Sequence, residues 1–380
     1  MSLPKRVLLI YSYYHHHAMV ERLASEMEAF GIAVDTLCTN NYSMLRRTGV
    51  KLPRPACIYL WIVSHFSFIR QRRFSRKLFY NKLFRDIARR YDLVDFHVFA
   101  PSRLQLMKVC QEQSIPYDIT LWGSDILRSD SDDAEKKRVG FDNCRYIKGA
   151  DALLAAVKEK YPGRYDDKFR PVYWGMNDFE AIDAVGGDTV ASMRASLPDG
   201  PCDCIIACGY NAMPTQYHQR ILESLATLPD TLKSRIIVLL QMTYPSDPEY
   251  VREVRDAALK SGLRFKLFDS RLSAEEVAAV RKLSDVVVNM QLTDAFAASL
   301  QGHLYAGGIL IAGKWLDYPV LDDDGIFHIK ADFDTLADTV SEVVQNLEHY
   351  KAQCAGNREK MKARTSWPAV VGKWAESYKD

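Results

Sequence analysis

Small residues crowd the turn after one acid: Asp294 is followed by Ala295, Ala297, Ala298 and Ser299. Side chains this short let phosphate oxygens approach backbone N–H groups, and a helix start presents several such groups at once. The elements around the turn suit that chemistry. Residues 286–288 are an apolar run that reads as a buried strand, 289–293 as a short polar loop and 294–306 as a helix. Gly307 and Gly308 end that helix, and 309–311 begin the next strand. The predicted unit is the β-α-β of a parallel sheet. Open α/β sheets bind phosphorylated ligands at the carboxyl ends of such strands.

The same alternation runs through the chain. Strands are predicted at 6–10, 32–37, 94–99, 204–208, 235–242 and 263–268, and a further one from Tyr117 that ends in the Gly123-Ser124-Asp125 loop. Ser273 with Glu276 is a capping box opening a helix to Leu283, and 331–350 reads as one amphipathic helix. At 380 residues the chain is longer than one core usually supports, so two α/β domains are expected. A turn at Pro198-Asp199-Gly200 sets the boundary within 181–200. Composition, 48% hydrophobic and 26% charged, is that of a soluble globular protein. No apolar run reaches membrane-spanning length, and the chain enters its first strand directly, so neither a transmembrane helix nor a signal peptide is expected. The eight cysteines are scattered; Cys202, Cys204 and Cys208 lie in an apolar run without metal-ligand spacing.

Charge is uneven. Between residues 46 and 90 there are thirteen Lys/Arg against one acid, Asp86, although the whole chain carries a net charge of only +2. Aromatics interleave with the cations, among them Trp61, Phe68, Arg70, Arg72, Arg73 and Phe74. Such a segment suits an anionic membrane surface or a lipid-linked acceptor. It also suits nucleic acid, or a core-facing helix with a solvated basic face. No nucleic-acid motif accompanies it. His15, His16 and His17 fall in the loop after the first strand, where they are either solvent-exposed or in contact with ligand phosphates.

The frame from Asp294 through Phe296 to Gly307 resembles the donor signature of GT-B glycosyltransferases: an acid, Phe-Gly, a second glutamate eight positions after the first, and a Gly before a strand. The second glutamate, which grips the nucleotide ribose in many members, falls on Gly302, with Gln301 and His303 as polar neighbours. Ala150-Asp151 followed by an apolar run, and Val172 to Asp178, resemble the end of a GT-B N-terminal domain. That pattern carries a strand after the Ala-Asp pair. The loop Tyr210, Asn211, Thr215, Gln216, Tyr217, His218 lacks the family's basic pair and is similar to that of lipid-linked Fuc4NAc transferases. The resemblance implies two Rossmann-like, doubly wound domains facing a cleft. The acceptor domain would be 1–180 with a helix at 365–380 crossing back to it, and 200–364 would hold the donor.

By the same resemblance, a sugar would pass from a nucleotide-diphosphate sugar to a glycan or lipid-linked acceptor in cell-surface polysaccharide synthesis. Donor-binding candidates are Gly209, Asn211, His218, Thr243, Asp294, Ala297, Ala298, Ser299, Gln301, His303 and Lys314. An inverting reaction needs a general base near a strand end, for which Asp125 and His97 are candidates. Asp125 alternatively caps a helix, and His97 is alternatively a satisfied strand histidine. No metal and no cofactor are expected; the partners are the nucleotide sugar, the acceptor and an anionic membrane, with no nucleic acid. The location would be cytoplasmic, with peripheral attachment at the inner face of the membrane. Other readings are a GT-B-fold sugar-nucleotide epimerase and a non-catalytic membrane-surface binding protein.

Overall fold

The structure, a computed structural model, describes residues 4–11, 17–38, 58, 84–245 and 247–379. The chain divides into two compact units: Met1–Gly175 with Trp367–Asp380, and Met176–Ser366. The second begins upstream of the 181–200 stretch in which the sequence sets the boundary. That stretch carries helices, Asn177–Ala184 and Gly187–Ala195.

Each unit holds a six-stranded sheet with parallel pairing throughout. The first contains β1 (Arg6–Tyr11), β2 (Ala33–Cys38), β3 (Leu93–His97), β4 (Tyr117–Thr120), β5 (Ile147–Gly149) and β6 (Phe169–Pro171), in the order β2-β1-β3-β4-β5-β6. The second contains β7 (Cys204–Cys208), β8 (Ile236–Gln241), β9 (Arg264–Phe268), β10 (Val286–Asn289), β11 (Ile309–Gly313) and β12 (Ile329–Ala331), in the order β12-β11-β10-β7-β8-β9. Strands covered on both faces must be apolar throughout rather than alternating. β7, β8, β10 and β11 are buried at every position.

Two predictions change. Residues after Ala150-Asp151 form a helix, Asp151–Lys160, where the family pattern carries a strand. Ala155 and Ala156 favour a helix, and Leu153, Leu154 and Val157 bury one stripe of it. The predicted helix 331–350 is β12 followed by helices Leu336–Gln345 and Leu347–Gln353, broken at Asn346. The capping box forms as expected: Ser273 Oγ accepts from the Glu276 amide at 3.1 Å, and Glu276 Oε2 accepts from the Ser273 amide at 2.7 Å.

Helix Trp367–Ser377 completes the core of the first unit. Trp367 and Trp374 join Val7, Leu9 and Tyr11 in one apolar cluster. A Cβ on Gly175 would enter the Trp367 indole. Trp374 Nε1 donates to the Tyr173 carbonyl at 2.8 Å. Beneath the helix, charges are buried. Lys148 Nζ sits 3.1 Å from Asp95 and 2.7 Å from Asp118, all three fully buried, and the Tyr378 hydroxyl donates to Asp95 at 3.1 Å. Burial alone would raise the Asp95 carboxyl, but Lys148 holds it well below the usual carboxylate range.

Candidate functional site

In the second sheet the strand order reverses between β7 and β10, so their carboxyl ends border a topological switch point, the place where such sheets bind ligands. β7 runs out through Gly209, whose φ of +65° favours glycine. A 3-10 turn, Pro214–Gln216, and a left-handed Tyr217 then feed helix His218–Ala226. Asn211 holds this loop with its own side chain, Oδ1 accepting from the Met213 amide at 2.9 Å. His218 is fully buried with Nδ1 3.0 Å from the Tyr250 hydroxyl. Burial lowers its pKa to about 4, so the ring is neutral near pH 7. A Cβ on Gly209 would stand 2.5 Å from His218 Nε2 and 3.1 Å from Gln216 Oε1.

Opposite lies the loop after β10. Gln291, fully buried, accepts from Gln216 Nε2 at 2.9 Å and from the Tyr210 hydroxyl at 3.2 Å. The Asp294 carboxylate accepts from the Tyr318 hydroxyl at 2.7 Å, from Asn289 Nδ2 at 3.2 Å and from the Ala297 amide at 3.1 Å. Burial pushes this carboxyl above its ordinary pKa, while those hydrogen bonds favour the anion. Phe296 adopts φ +68°, a rare conformation for a bulky residue. The helix therefore starts only at Ala298 and runs Ala298–Tyr305, shorter than the predicted 294–306. Its first-turn amides, from Ala298 and Ser299 onward, have no partner within the helix. Three exposed apolar side chains rim these loops: Tyr244 after β8, Leu292 after β10 and Trp315 after β11. Trp315 Nε1 donates to the Gln291 carbonyl at 2.8 Å.

The switch point thus gathers Gly209, Asn211, His218, Asp294, Ala297, Ala298 and Ser299. Thr243 follows β8 near Tyr244. Gln301 braces the same loop from behind, and two other candidates turn elsewhere. Gln301 Nε2 donates back to the Phe296 carbonyl at 2.7 Å. Lys314 is exposed and pairs with Asp332 at 2.6 Å. His303 is buried, its pKa lowered to about 3 by burial and by Arg281. At Gly302, where the family signature places glutamate, a Cβ would stand 2.7 Å from the Arg281 guanidinium, which pairs with Asp178. That position holds a cation, already neutralised, in place of a carboxylate.

In the first unit, Asp125 is buried and accepts the amides of Phe99 at 2.9 Å, Gly123 at 2.8 Å and Trp122 at 3.1 Å. Burial raises its pKa and these amides oppose the shift. His97 is fully buried, with Trp122 Nε1 3.4 Å from its Nδ1, Asp95 3.6 Å from its Nε2 and the Trp374 ring stacked at 6.2 Å. The two candidates do not share a hydrogen bond. His15, His16 and the patch of Trp61, Phe68, Arg70, Arg72, Arg73 and Phe74 lie outside the described residues, as does the side chain of His17, whose backbone opens helix His17–Glu28.

Gln291, Asn289 and Tyr318 were not singled out by the sequence. Their signal there is slight: a polar side chain directly after an apolar strand, and a tyrosine in a loop. Among the described residues, no group of three or more His, Cys, Asp or Glu side chains is placed to hold a metal ion. Among them, too, no helix is long and apolar enough to cross a membrane.

No family model matches the chain, and no curated protein matches it in sequence. Solved structures do share its fold. Anabaena HepE in complex with UDP and glucose has a TM-score of 0.69 at 12% identity, covering 98% of this chain and 99% of that one. A glycosyltransferase from Rickettsia africae gives 0.72 at 12%, covering 98% and 97%. Sucrose-phosphate synthase from Thermosynechococcus elongatus gives 0.66 at 13%, covering 98% of each chain. The two parallel sheets and their flanking helices have the GT-B fold.

Proposed function

We propose that this protein is a glycosyltransferase that moves a sugar from a nucleotide-diphosphate sugar to a glycan or lipid-linked acceptor in cell-surface polysaccharide synthesis. The observation that carries the reading is the β7–β10 switch point, where a left-handed glycine, a buried neutral histidine and a helix start converge in the second unit. It is supported by fold likeness to HepE, whose structure holds UDP and glucose. Transfer develops positive charge on the anomeric carbon and negative charge on the departing diphosphate. Preorganised N–H donors stabilise such an anion without reorganising as the charge grows. The amides of Ala298 and Ser299 are the proposed donors, and Asp294 sets their turn by holding the Ala297 amide. The acceptor side rests on the basic, aromatic stretch between residues 46 and 90, read as meeting a membrane or a lipid diphosphate.

Thermal unfolding with UDP, GDP, dTDP and ADP tests the donor. A nucleotide at about 100 times its dissociation constant should stabilise the protein by roughly 2.7 kcal/mol. No shift with any of the four would end the reading. On the acceptor side, charge reversal at Arg70, Arg72 and Arg73 should abolish sedimentation with anionic liposomes at low salt. Wild-type protein that ignores such liposomes would remove the membrane from the proposal.

A further inference from the structure

The floor of the switch point has hydrogen-bonding groups left over. Gln216 and Gln291 are 1% and 0% exposed and bonded to each other, yet Gln216 Oε1 and Gln291 Nε2 have no partner among the described residues. The same holds for His218 Nε2 and Thr215 Oγ1. Buried polar groups are nearly always paired, so a cluster of four unpaired atoms calls for a missing partner. Two of the four converge: His218 Nε2 and Gln216 Oε1 both lie within 3.1 Å of the place that a side chain on Gly209 would fill, and Gln291 is tied to them through its hydrogen bond with Gln216.

The kind of atom left unpaired identifies the partner's chemistry. One amide oxygen and one amide nitrogen remain. Exchanging oxygen and nitrogen in both glutamines leaves the same pair with places swapped, so the count does not depend on how the amides are oriented. The hydrogen-bonded glutamine pair therefore offers one acceptor and one donor, along with the Thr215 hydroxyl, which does both, and a neutral imidazole. A sugar hydroxyl donates and accepts, and so matches this set. An ionised phosphate oxygen only accepts, and against the free amide oxygen it would set lone pair against lone pair. The floor also has no cation to attract it, since His218 is neutral near pH 7.

We infer that Gln216, Gln291 and His218, beside Gly209, bind the transferred sugar of the donor through its hydroxyl groups and leave the diphosphate to the helix start at Ala298. This rests on the glycosyltransferase reading. It narrows His218 from a donor-binding candidate to a contact of the sugar and makes the two glutamines specificity-determining residues. Gly209 is glycine here both for its φ and because a side chain would fill the space the hydroxyl needs.

Calorimetric titration of wild type, Gln216→Glu and the Gln216→Met/Gln291→Met double variant tests the assignment. The probes are UDP, GDP, dTDP and ADP, with UDP-glucose, UDP-galactose, UDP-N-acetylglucosamine, GDP-mannose, dTDP-glucose and ADP-glucose. Methionine keeps the length of glutamine and removes both amides together with their unpaired atoms, leaving only the Tyr210 hydroxyl without its acceptor, so the double variant should fold and melt only slightly below wild type. For the sugar nucleotide that wild type binds best, both variants should lose more than tenfold in affinity while the bare nucleotide stays within twofold. Equal loss for the bare nucleotide would put its ribose or phosphate on this floor and overturn the inference. Unchanged affinity for every probe would leave the floor to ordered water and overturn it as well. So would a wild type that binds no sugar nucleotide more tightly than its nucleotide. A wild type that binds no probe at all would instead remove the donor reading, and this inference with it.

Discussion

Asp125 accepts three backbone amides, one of them from Phe99, directly after Val98, whose φ of +65° is a strained conformation for a β-branched residue. The carboxylate pins that turn to the loop after β4. Replacing it with asparagine turns an NH2 group towards amides that need an acceptor. We expect Asp125→Asn to lower stability by about 1–3 kcal/mol, read from the urea midpoint. A variant of unchanged stability that loses transfer rate by about 10²-fold would instead mark Asp125 as the general base. In sequence a general base and a helix cap look alike, because both place an acid just past a strand end. In the structure Asp125 lies within helix Ser124–Leu127 and takes amides from the residues before it and from Phe99, so it is not that helix's cap. The Phe99 amide, 26 residues away, is not visible from the sequence around Asp125. The floor of the switch point was hidden in the same way. Gln216 and Gln291 are 75 residues apart, and either alone reads as a polar loop residue. By contrast Asp294 was legible, because its small neighbours and the strand before it share one short stretch.

Among the elements, β-strands were legible where helices cover both faces, since burial forces an unbroken apolar run such as that of β8 or β10. β5, β6 and β12, three residues each, are too short to carry that signal. Helix boundaries failed where a single backbone angle decides them. Nothing in the composition of 294–306 announces that Phe296 turns left-handed and delays the helix to Ala298. Helix Trp367–Ser377 depends on a contact that does show its cause, the space left by Gly175 under the Trp367 indole. A methyl group there overpacks a full core. Gly175→Ala should cost about 1–3 kcal/mol, with lower thermal stability and a changed tryptophan fluorescence. A variant as stable as wild type would mean that this helix is not seated on the first unit as described.

For the whole molecule, acid should act through the second unit first. His218 and His303 are held neutral there by burial, with pKa values of about 4 and about 3. An unfolded chain takes up those protons below the ordinary value near 6.5, and the folded chain does not. Their stabilising contribution is therefore complete above pH 6.5 and is lost as pH falls towards 4. The loss is about 1.4 kcal/mol per pH unit for each histidine. Urea midpoints between pH 7 and 5 should show this slope, and His303→Leu should halve it; a slope unchanged by that substitution would assign the acid sensitivity elsewhere. Asp95 in the first unit differs in range, its contribution remaining complete until pH falls below the ordinary carboxylate value near 4. The first unit has one more property, set by the order in which its pieces are made. It is discontinuous, Met1–Gly175 with Trp367–Asp380, and the whole of Met176–Ser366 intervenes. At ordinary rates of translation the ribosome needs roughly ten to forty seconds to make that intervening unit. Throughout that interval Val7, Leu9 and Tyr11 lack the two tryptophans that close their cluster. The part synthesised first is thus the last to finish folding, and a ribosome stalled before Trp367 should carry a nascent chain whose leading domain is still open to proteases.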